Sequence, residues 1–308
     1  DGARAKVLGG RDRFAEPGRA NAGLWFEKLM EQPQPRAEET AGENAVELTL
    51  EWLAKNGRVG DAGELDAMAR RRARLLRRLG GSLLRFSLET PLLTGLGVPH
   101  AGSGNGMHWH RTLGVPYVPA SSIKGAVRSW VETFCIAPTE DDPEDLAMRE
   151  SIDLVFGREV GTRGGPTVGA VIVLDGLPVA RSGCSGVKLA GEIVNPHYRD
   201  YYGWSGDGRV APPADWYDPV PAPRIALAAG ELIDIGIAPR PSAPARRDVA
   251  PVDGEEPFDP CMEARRALEQ MASMTGLGAA SNVGFGRLSF VDVVPPDGDA
   301  GSAPRPGG

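Results

Sequence analysis

The order of strand-like and helix-like segments leaves few folds open to this chain. A strand predicted at residues 82–90 (SLLRFSLET) precedes a helix that we expect to begin at the Ser121–Ser122 pair, and several strands, a helix and a last strand follow. This order predicts an α+β fold, with a split β-α-β sheet packed on one side by helices. The later elements are predicted as strands at 169–176 and 187–198, two strands around an Ala-Gly turn at 223–239, a helix at 260–274 and a strand at 287–294.

An earlier helix is predicted at residues 62–79. Apolar side chains share one of its faces, acids occupy the first turns and arginines the last, and Gly80–Gly81 stops it. Because cations near the C-terminal end of a helix suit the helix dipole, these arginines need no ligand to explain them.

The length and loop content of the chain bound its domain organisation. With 308 residues, 41 of them Gly and 27 Pro, it can bury one large core or two ordinary ones between many loops. We expect a partly helical N-terminal extension at 1–60, one folded domain at 61–294 with a mobile Pro-rich insertion at 240–260, and a disordered tail at 295–308. No apolar run approaches about 18 residues and no signal segment is visible, so we expect a soluble, cytoplasmic protein.

Charge is distributed unevenly around a net value of −7. Residues 70–128 contain ten Lys and Arg side chains and a single acid, Glu89, whereas residues 140–159 contain eight acids and two arginines. Such asymmetry is typical of an anion-binding face on an acidic protein. The simpler interpretation, in which each charge run is a solvated helix face, stays open.

The helix start at 121–128 places cations where they are unfavourable. Lys124 and Arg128 are four residues apart and share a face, yet the first turn of a helix already carries about half a positive charge. A bound phosphate would explain this, held by backbone amides, the hydroxyls of Ser121 and Ser122, and the two cations, with Gly125 allowing close approach. The alternative is an ordinary capped helix with exposed basic residues.

A Gly-rich loop at 276–286 (GLGAASNVGFG) lies between the last helix and the last strand. It is not a dinucleotide fingerprint, because that motif follows a strand and opens a helix. Main chain of this composition can let an RNA backbone come close, and it can equally be a tight turn.

His108 and His110 flank Trp109 and would share one face of a strand. Metal ligands and general bases both use this spacing, but no His-Glu-x-x-His motif or carboxylate cluster completes a site. We therefore favour a structural or RNA-stacking role over metal binding. Trp109 could stack on a base or simply pack in the core.

Other chemistry-bearing residues give weaker signals. The three cysteines form no Cys-x-x-Cys pair, so neither a disulfide framework nor a zinc knuckle is expected. Ser185 lacks the Gly-x-Ser-x-Gly context of a nucleophile elbow. The aromatic stretch at 195–208 could stack on bases or pack on itself. No cofactor is implied.

Several blocks of this sequence resemble the RAMP superfamily of CRISPR proteins, over about residues 82–292. The superfamily resemblance is carried by PYVPASSIKG (116–125) and NVGFGRL (282–288). Two further blocks, NPHYRDYY (195–202) and PADWYDPVP (213–221), are similar to the sixth subunit of the type III-B (Cmr) RNA-guided effector complex.

This resemblance implies a ferredoxin-like (RRM-like) fold with a Gly-rich C-terminal loop and long insertions. It further implies a non-catalytic subunit that binds guide RNA near its 3′ end, with target RNA as a further ligand. Its protein partners would be the filament of backbone RAMP subunits and small helical subunits. The implied RNA-binding residues, together with neighbouring basic and imidazole side chains, are Ser121, Ser122, Lys124, Gly125, Arg128, His108, His110, Arg111, Asn282, Gly284, Gly286 and Arg287.

Two positions depart from the superfamily pattern. Ala120 stands where a glycine is usual, and Ala280–Ser281 stand where the loop often has a Lys-Thr pair, which removes a cation. Two other functions stay open: a RAMP-type endoribonuclease with His108 or His110 as general base, and a structural subunit that contacts only proteins.

Overall fold

The computed structural model of the protein describes residues 21–24, 26–27, 53, 57–97, 106–136, 143–158, 165–194, 201, 212, 214, 216–217, 222–241 and 258–295. Most of the N-terminal extension, the aromatic stretch, the Pro-rich insertion and the tail lie outside these residues.

The helices begin at recognisable signals. Aspartates cap two of them: Asp61 accepts a hydrogen bond from the Glu64 N–H at 2.9 Å, and Asp259 accepts one from the Cys261 N–H at 2.8 Å. The long helices of the described chain are α1 (Ala62–Arg78), α2 (Ala120–Phe134), α3 (Pro143–Phe156) and α4 (Pro260–Met274). Helix α3 occupies part of the acidic segment, for which the sequence predicts no element.

The strands form a central antiparallel sheet and two smaller sheets, so the predicted α+β class is confirmed. The central sheet has the order β5-β8-β2-β9, the second β1-β6-β7, and β3 pairs with β4. In chain order the strands are β1 (Arg58–Val59), β2 (Ser82–Leu88), β3 (Gly157–Arg158), β4 (Thr167–Val168), β5 (Val171–Val179), β6 (Val187–Val194), β7 (Ala222–Leu227), β8 (Leu232–Pro239) and β9 (Leu288–Val293).

Strands β7 and β8 are joined by a turn but belong to different sheets. The sequence predicts two strands around an Ala-Gly turn here, and Gly230 does turn the chain, with φ of 81°. However, β7 pairs with β6, whereas β8 lies between β2 and β5. Every residue of β8 except the last is buried, which suits the centre of a sheet covered on both faces.

Helices cover both faces of the central sheet, so the prediction of helices on one side is wrong. Ile233, Ile235 and Ile237 of β8 belong to the same core cluster as residues of α2 and α4. The alternate residue Gly236 faces α1, where a Cβ would lie 2.8 Å from Leu76 Cδ1. Because both faces of β8 are buried, both require a cover.

A buried charge cluster fixes α1 on its face of the sheet. Arg85 of β2 donates two hydrogen bonds, both of 2.8 Å, to the carboxylate of the opposite residue Asp234 on β8. Burial raises the pKa of Asp234, and the hydrogen bonds and charge of Arg85 oppose that shift. Arg72 of α1 donates to the backbone carbonyls of Asp234 and Asp175.

Candidate nucleic-acid interface

The N-terminus of α2 is held by an acid from β5 and not by a serine cap. The helix begins at Ala120 after Pro119, with no side-chain cap, so the expectation that Ser121 or Ser122 caps it is wrong. The Ala120 N–H is donated to Asp175 Oδ1 at 2.7 Å. Asp175 lies where the register of β5 against β8 shifts, and this irregularity brings its carboxylate to the helix start.

Most of the first-turn amides of α2 are already engaged. The N–H groups of Ser122 and Ile123 are donated to the Pro119 carbonyl at 2.9 and 3.1 Å, and that of Ala120 goes to Asp175. An anion at this helix start must therefore be held largely by side chains. Ser121 and Ser122 are both exposed there.

Lys124 is partly buried on the next turn beside other cations. Burial lowers its pKa, and the positive charges of Arg240 and Arg128 lower it further. No carboxylate of the described chain lies within ion-pair distance of Lys124. Next to it, Gly125 is exposed, and a Cβ added there would meet no atom within 4 Å. Protein packing therefore does not explain the glycine.

Arg128 is committed to contacts inside the protein. Its Nε donates to Glu132 Oε1 at 2.8 Å, one terminal nitrogen donates to the Gly157 carbonyl at 2.6 Å, and the other lies 3.5 Å from Asp153 Oδ1. These contacts tie α2 to α3 and β3. Arg128 therefore contributes little uncompensated charge beside Lys124.

Arg240 supplies the second uncompensated cation, and sequence reasoning missed it. It follows β8 and donates from Nε to the Gly169 carbonyl at 3.0 Å, while its N–H is donated to the Ala170 carbonyl at 2.7 Å. This fixes it at the beginning of β5, against which α2 packs. Because Arg240 begins the stretch predicted as an insertion, no local pattern marks it; only the antiparallel pairing of β5 with β8 brings it to Lys124.

The two histidines lie on the same side of their segment, as their spacing predicts. The ring centroids of His108 and His110 are 5.9 and 6.0 Å from that of Tyr117. Trp109 is buried against Phe26, at 5.6 Å between centroids, which gives it a packing role. Burial lowers the pKa of His110, which Asp175 opposes, and its Nδ1 lies 3.2 Å from the donating Leu113 N–H. The neighbouring Arg111 is exposed.

Contacts within the protein require three of the four loop glycines. A Cβ would lie 1.8 Å from the Leu277 carbonyl oxygen at Gly286, 2.4 Å from that of Leu93 at Gly278, and 2.8 Å from that of Phe285 at Gly276. All four glycines have positive φ, but only at Gly284 would a Cβ point into open space. The tip exposes Asn282, and Arg287 is exposed at the base.

One segment connects the Gly-rich loop to the histidines. Leu93 pairs with Ala279 in an isolated β-bridge, and two residues later a Cβ on Gly95 would lie 2.6 Å from the His108 backbone nitrogen. From the histidines the chain continues through Tyr117 to the start of α2. Backbone contacts and chain continuity thus link the three predicted site segments in succession, with Arg128 turned into structural contacts and Gly286 buried.

In the part of the chain that the structure describes, no three His, Cys, Asp or Glu side chains are grouped to hold a metal ion. None of the described helices has both the length and the apolar character needed to cross a membrane. Cys135, Cys184 and Cys261 are separate free thiols, and burial raises the pKa of Cys261 to about 11.

Residues 85–289 match the family model of the RAMP superfamily. Over 243 residues the chain is 26% identical to the CRISPR system Cmr subunit Cmr6 of Pyrococcus furiosus, and the match covers 66% of each protein. The chain thus spans about two thirds of the length of that relative.

One of the solved structures compared with this chain has a related fold. A chain of the cryo-EM structure of the type III-B Cmr-beta bound to cognate target RNA superimposes with a TM-score of 0.55 at 16% identity, over 88% of this chain and 80% of that one. The crystal structure of Cmr6 from Pyrococcus furiosus gives a TM-score of 0.38 at 23% identity, over 68% and 97%.

Proposed function

Because the chain belongs to the RAMP superfamily, we propose that it is a non-catalytic RNA-binding subunit of a type III-B CRISPR effector complex. Membership confirms the superfamily resemblance of its sequence blocks. The finer proposal is supported by the 26% identical relative, which is named as a Cmr subunit.

Within such a complex, the chain would bind guide RNA near its 3′ end and cap the filament of backbone RAMP subunits, with small helical subunits alongside. The blocks at 195–202 and 213–221, which resemble the sixth Cmr subunit, support this position. Target RNA is a further proposed ligand, and the cytoplasm the proposed location.

The strand order supports a ferredoxin-like core for this subunit. The elements of this core follow one another along the chain as β-α-β-β-α-β, namely β2, α2, β5, β8, α4 and β9. The sheet that they form has the order β5-β8-β2-β9 and is antiparallel throughout. Helix α1, on the opposite face, is an addition to that core. The Gly-rich loop precedes β9, the position that the superfamily resemblance implies.

The observation that carries the proposal is the pair of cations Lys124 and Arg240. The positive charges of Lys124 and Arg240 repel each other, and neither side chain has a carboxylate partner in the described chain. Placing like charges together costs free energy, which a phosphate chain bound across both would offset. The open surface over Gly125 would give an RNA backbone access to Lys124, and the rings of His108 and Tyr117 could stack on bases.

Nuclease activity is the alternative from another class. His110 is the better candidate base, because burial lowers its pKa and favours the neutral ring. However, its Nδ1 accepts the Leu113 N–H, so the neutral ring carries its proton on Nε2, and that nitrogen cannot accept a second proton as a general base would. A subunit that contacts only proteins is the other alternative, and its basic face would meet an acidic neighbour.

The test is binding and cleavage of one labelled single-stranded RNA by the full chain across a salt series. We expect intact RNA and a binding constant that falls with salt, with a logarithmic slope of about −0.7 for each phosphate contacted. Cleavage that is lost in His110→Ala would favour the nuclease. Absence of binding at the lowest salt, combined with unchanged incorporation into the complex, would favour the purely structural subunit.

A further inference from the structure

One face of α1 presents arginines to solvent. Arg71, Arg74 and Arg78, here called the arginine stripe, are all exposed, and their spacing of three and four residues aligns them over roughly 10 Å of helix. The opposite face packs on the protein through Leu65, Ala69, Ala73 and Leu76.

The arginine stripe is not neutralised by the described part of the chain. Arg74 donates from Nε to the Arg70 carbonyl at 3.3 Å, while Arg71 and Arg78 have neither a hydrogen bond nor an ion pair there. Asp66 is paired with Arg70. The helix dipole accounts for cations in the last turn only, so it explains Arg78 but not Arg71.

Two contacts join α1 to the cations of the proposed RNA site. At the end of α1, a Cβ on Gly80 would lie 3.6 Å from Pro239 Cγ, and Pro239 directly precedes Arg240. In the middle of α1, Arg72 donates to the Asp175 carbonyl, and the side chain of Asp175 holds the Ala120 N–H of α2. These contacts place the end of α1 beside the residue that precedes Arg240, and the middle of α1 against the residue that holds the start of α2.

The chemistry of the arginine stripe favours a phosphate chain over an acidic protein. Guanidinium groups bind phosphates bidentately, and an extended polyanion can contact cations along a helix in turn. Protein interfaces usually need an apolar centre, and Leu75 is the single large apolar side chain that α1 exposes.

We propose that the arginine stripe is a second phosphate-contacting surface for single-stranded RNA, continuous through Arg240 with Lys124. This inference rests on the proposed RNA-binding function and extends its path onto the opposite face of the central sheet. It assigns a ligand to three arginines, of which the helix dipole accounts for Arg78 alone.

The experiment compares salt slopes of full chains on one fluorescently labelled single-stranded RNA of about 30 nucleotides, long enough for more than one site. Arg71→Gln with Arg78→Gln removes the two arginines without contacts, and Gln keeps helix propensity, so thermal unfolding should change little beyond the small dipole contribution of Arg78. We expect weaker binding and a slope less steep by about 1.4, for two lost phosphate contacts. The control Lys188→Gln with Arg266→Gln removes the same charge from exposed positions on β6 and α4 and should change the slope less.

The outcomes separate this inference from the function on which it rests. An unchanged slope in the arginine-stripe variant, with a reduced slope in Lys124→Glu/Arg240→Glu, overturns the stripe alone. A reduced slope in both supports the continuous path. Loss of complex assembly at an unchanged RNA slope overturns the RNA assignment in favour of a protein contact, and a wild-type chain that binds no RNA overturns both proposals.

Discussion

The carboxylate of Asp175 accepts the Ala120 N–H at 2.7 Å, while its own backbone carbonyl accepts a hydrogen bond from Arg72. One residue at an irregular point of β5 thus joins α1 and α2 to the sheet. The first turn of α2 contains no acid, and the carboxylate that interacts with it belongs to Asp175, 55 residues further along the chain. The positive charge at the N-terminus of α2 is therefore already partly compensated by this carboxylate, before Lys124 and Arg128 add to it.

Arg128 is expected to contribute to stability more than to RNA binding. Replacing it with Gln removes its contacts with Glu132, Gly157 and Asp153. We expect the free energy of unfolding, measured in urea, to fall by about 1–2 kcal/mol. The control Arg266→Gln loses one exposed pair with Glu263 and should cost about 0.5 kcal/mol or less. Equal losses of unfolding free energy in the two variants would show that the contacts of Arg128 stabilise the protein no more than one exposed ion pair does.

Lys124 and Arg240 are expected to act together on RNA. The double variant Lys124→Glu/Arg240→Glu should bind single-stranded RNA more weakly, because two phosphate contacts become repulsive, and its salt slope should become less steep by about 1.4 or more. Anisotropy titrations across a salt series measure both. Lys188→Glu/Arg266→Glu has the same charge change on β6 and α4 and should have a smaller effect. Identical titrations for the two variants would remove the site-specific assignment.

Local pattern predicts part of this structure well. Helix α4 has the predicted bounds Pro260–Met274, and α1 ends one residue before its predicted end. Here the apolar periodicity, an aspartate cap and the stop signals all lie within the helix or beside it. The central strands were also predicted, since β-branched and apolar residues fill them.

What the sequence does not predict depends on distant residues. Serine often caps helices, so Ser121 and Ser122 look like caps in the sequence. In the structure the helix begins before them, directly after Pro119, and the carboxylate of Asp175 accepts the first N–H instead. Only the pair with Glu132, one turn along α2, can be expected from the sequence, because the other partners of Arg128 are on α3 and β3. Arg240 becomes a candidate only through the pairing of β8 with β5.

Gly125 offers a test of close approach. Gly125→Ala should raise the free energy of unfolding by about 1 kcal/mol, because alanine favours the helix and a Cβ meets no atom within 4 Å. If RNA passes over this turn, the added methyl should also weaken RNA binding. Ser129→Ala on the same helix raises helix propensity without adding volume there, so it should stabilise without that loss. Wild-type affinity in Gly125→Ala would place the RNA elsewhere.

His110 is expected to make stability depend on pH in the acidic range. Burial lowers its folded-state pKa below the ordinary value of 6.5, so the unfolded chain binds a proton first as the pH falls. The contribution of His110 to the free energy of unfolding is therefore fully present above about pH 6.5. It is lost progressively as the pH falls from that value through the lower pKa of the folded state. Asp175 and Arg72 act on the same ring in opposite directions, and Asp175 reduces the effect.

His110→Asn isolates this contribution, because the Asn side-chain oxygen can still accept the Leu113 N–H but does not titrate. Urea unfolding between pH 7.5 and 5 should show wild type losing stability relative to the variant as the pH falls. Burial raises the pKa of Asp234 and Glu231, so their contribution to the free energy of unfolding changes with pH in the opposite direction to that of His110. Wild type and variant both contain these two acids, so their contribution cancels in the difference between the two stability curves. Parallel curves would mean that His110 has the same proton affinity in the folded and unfolded chains.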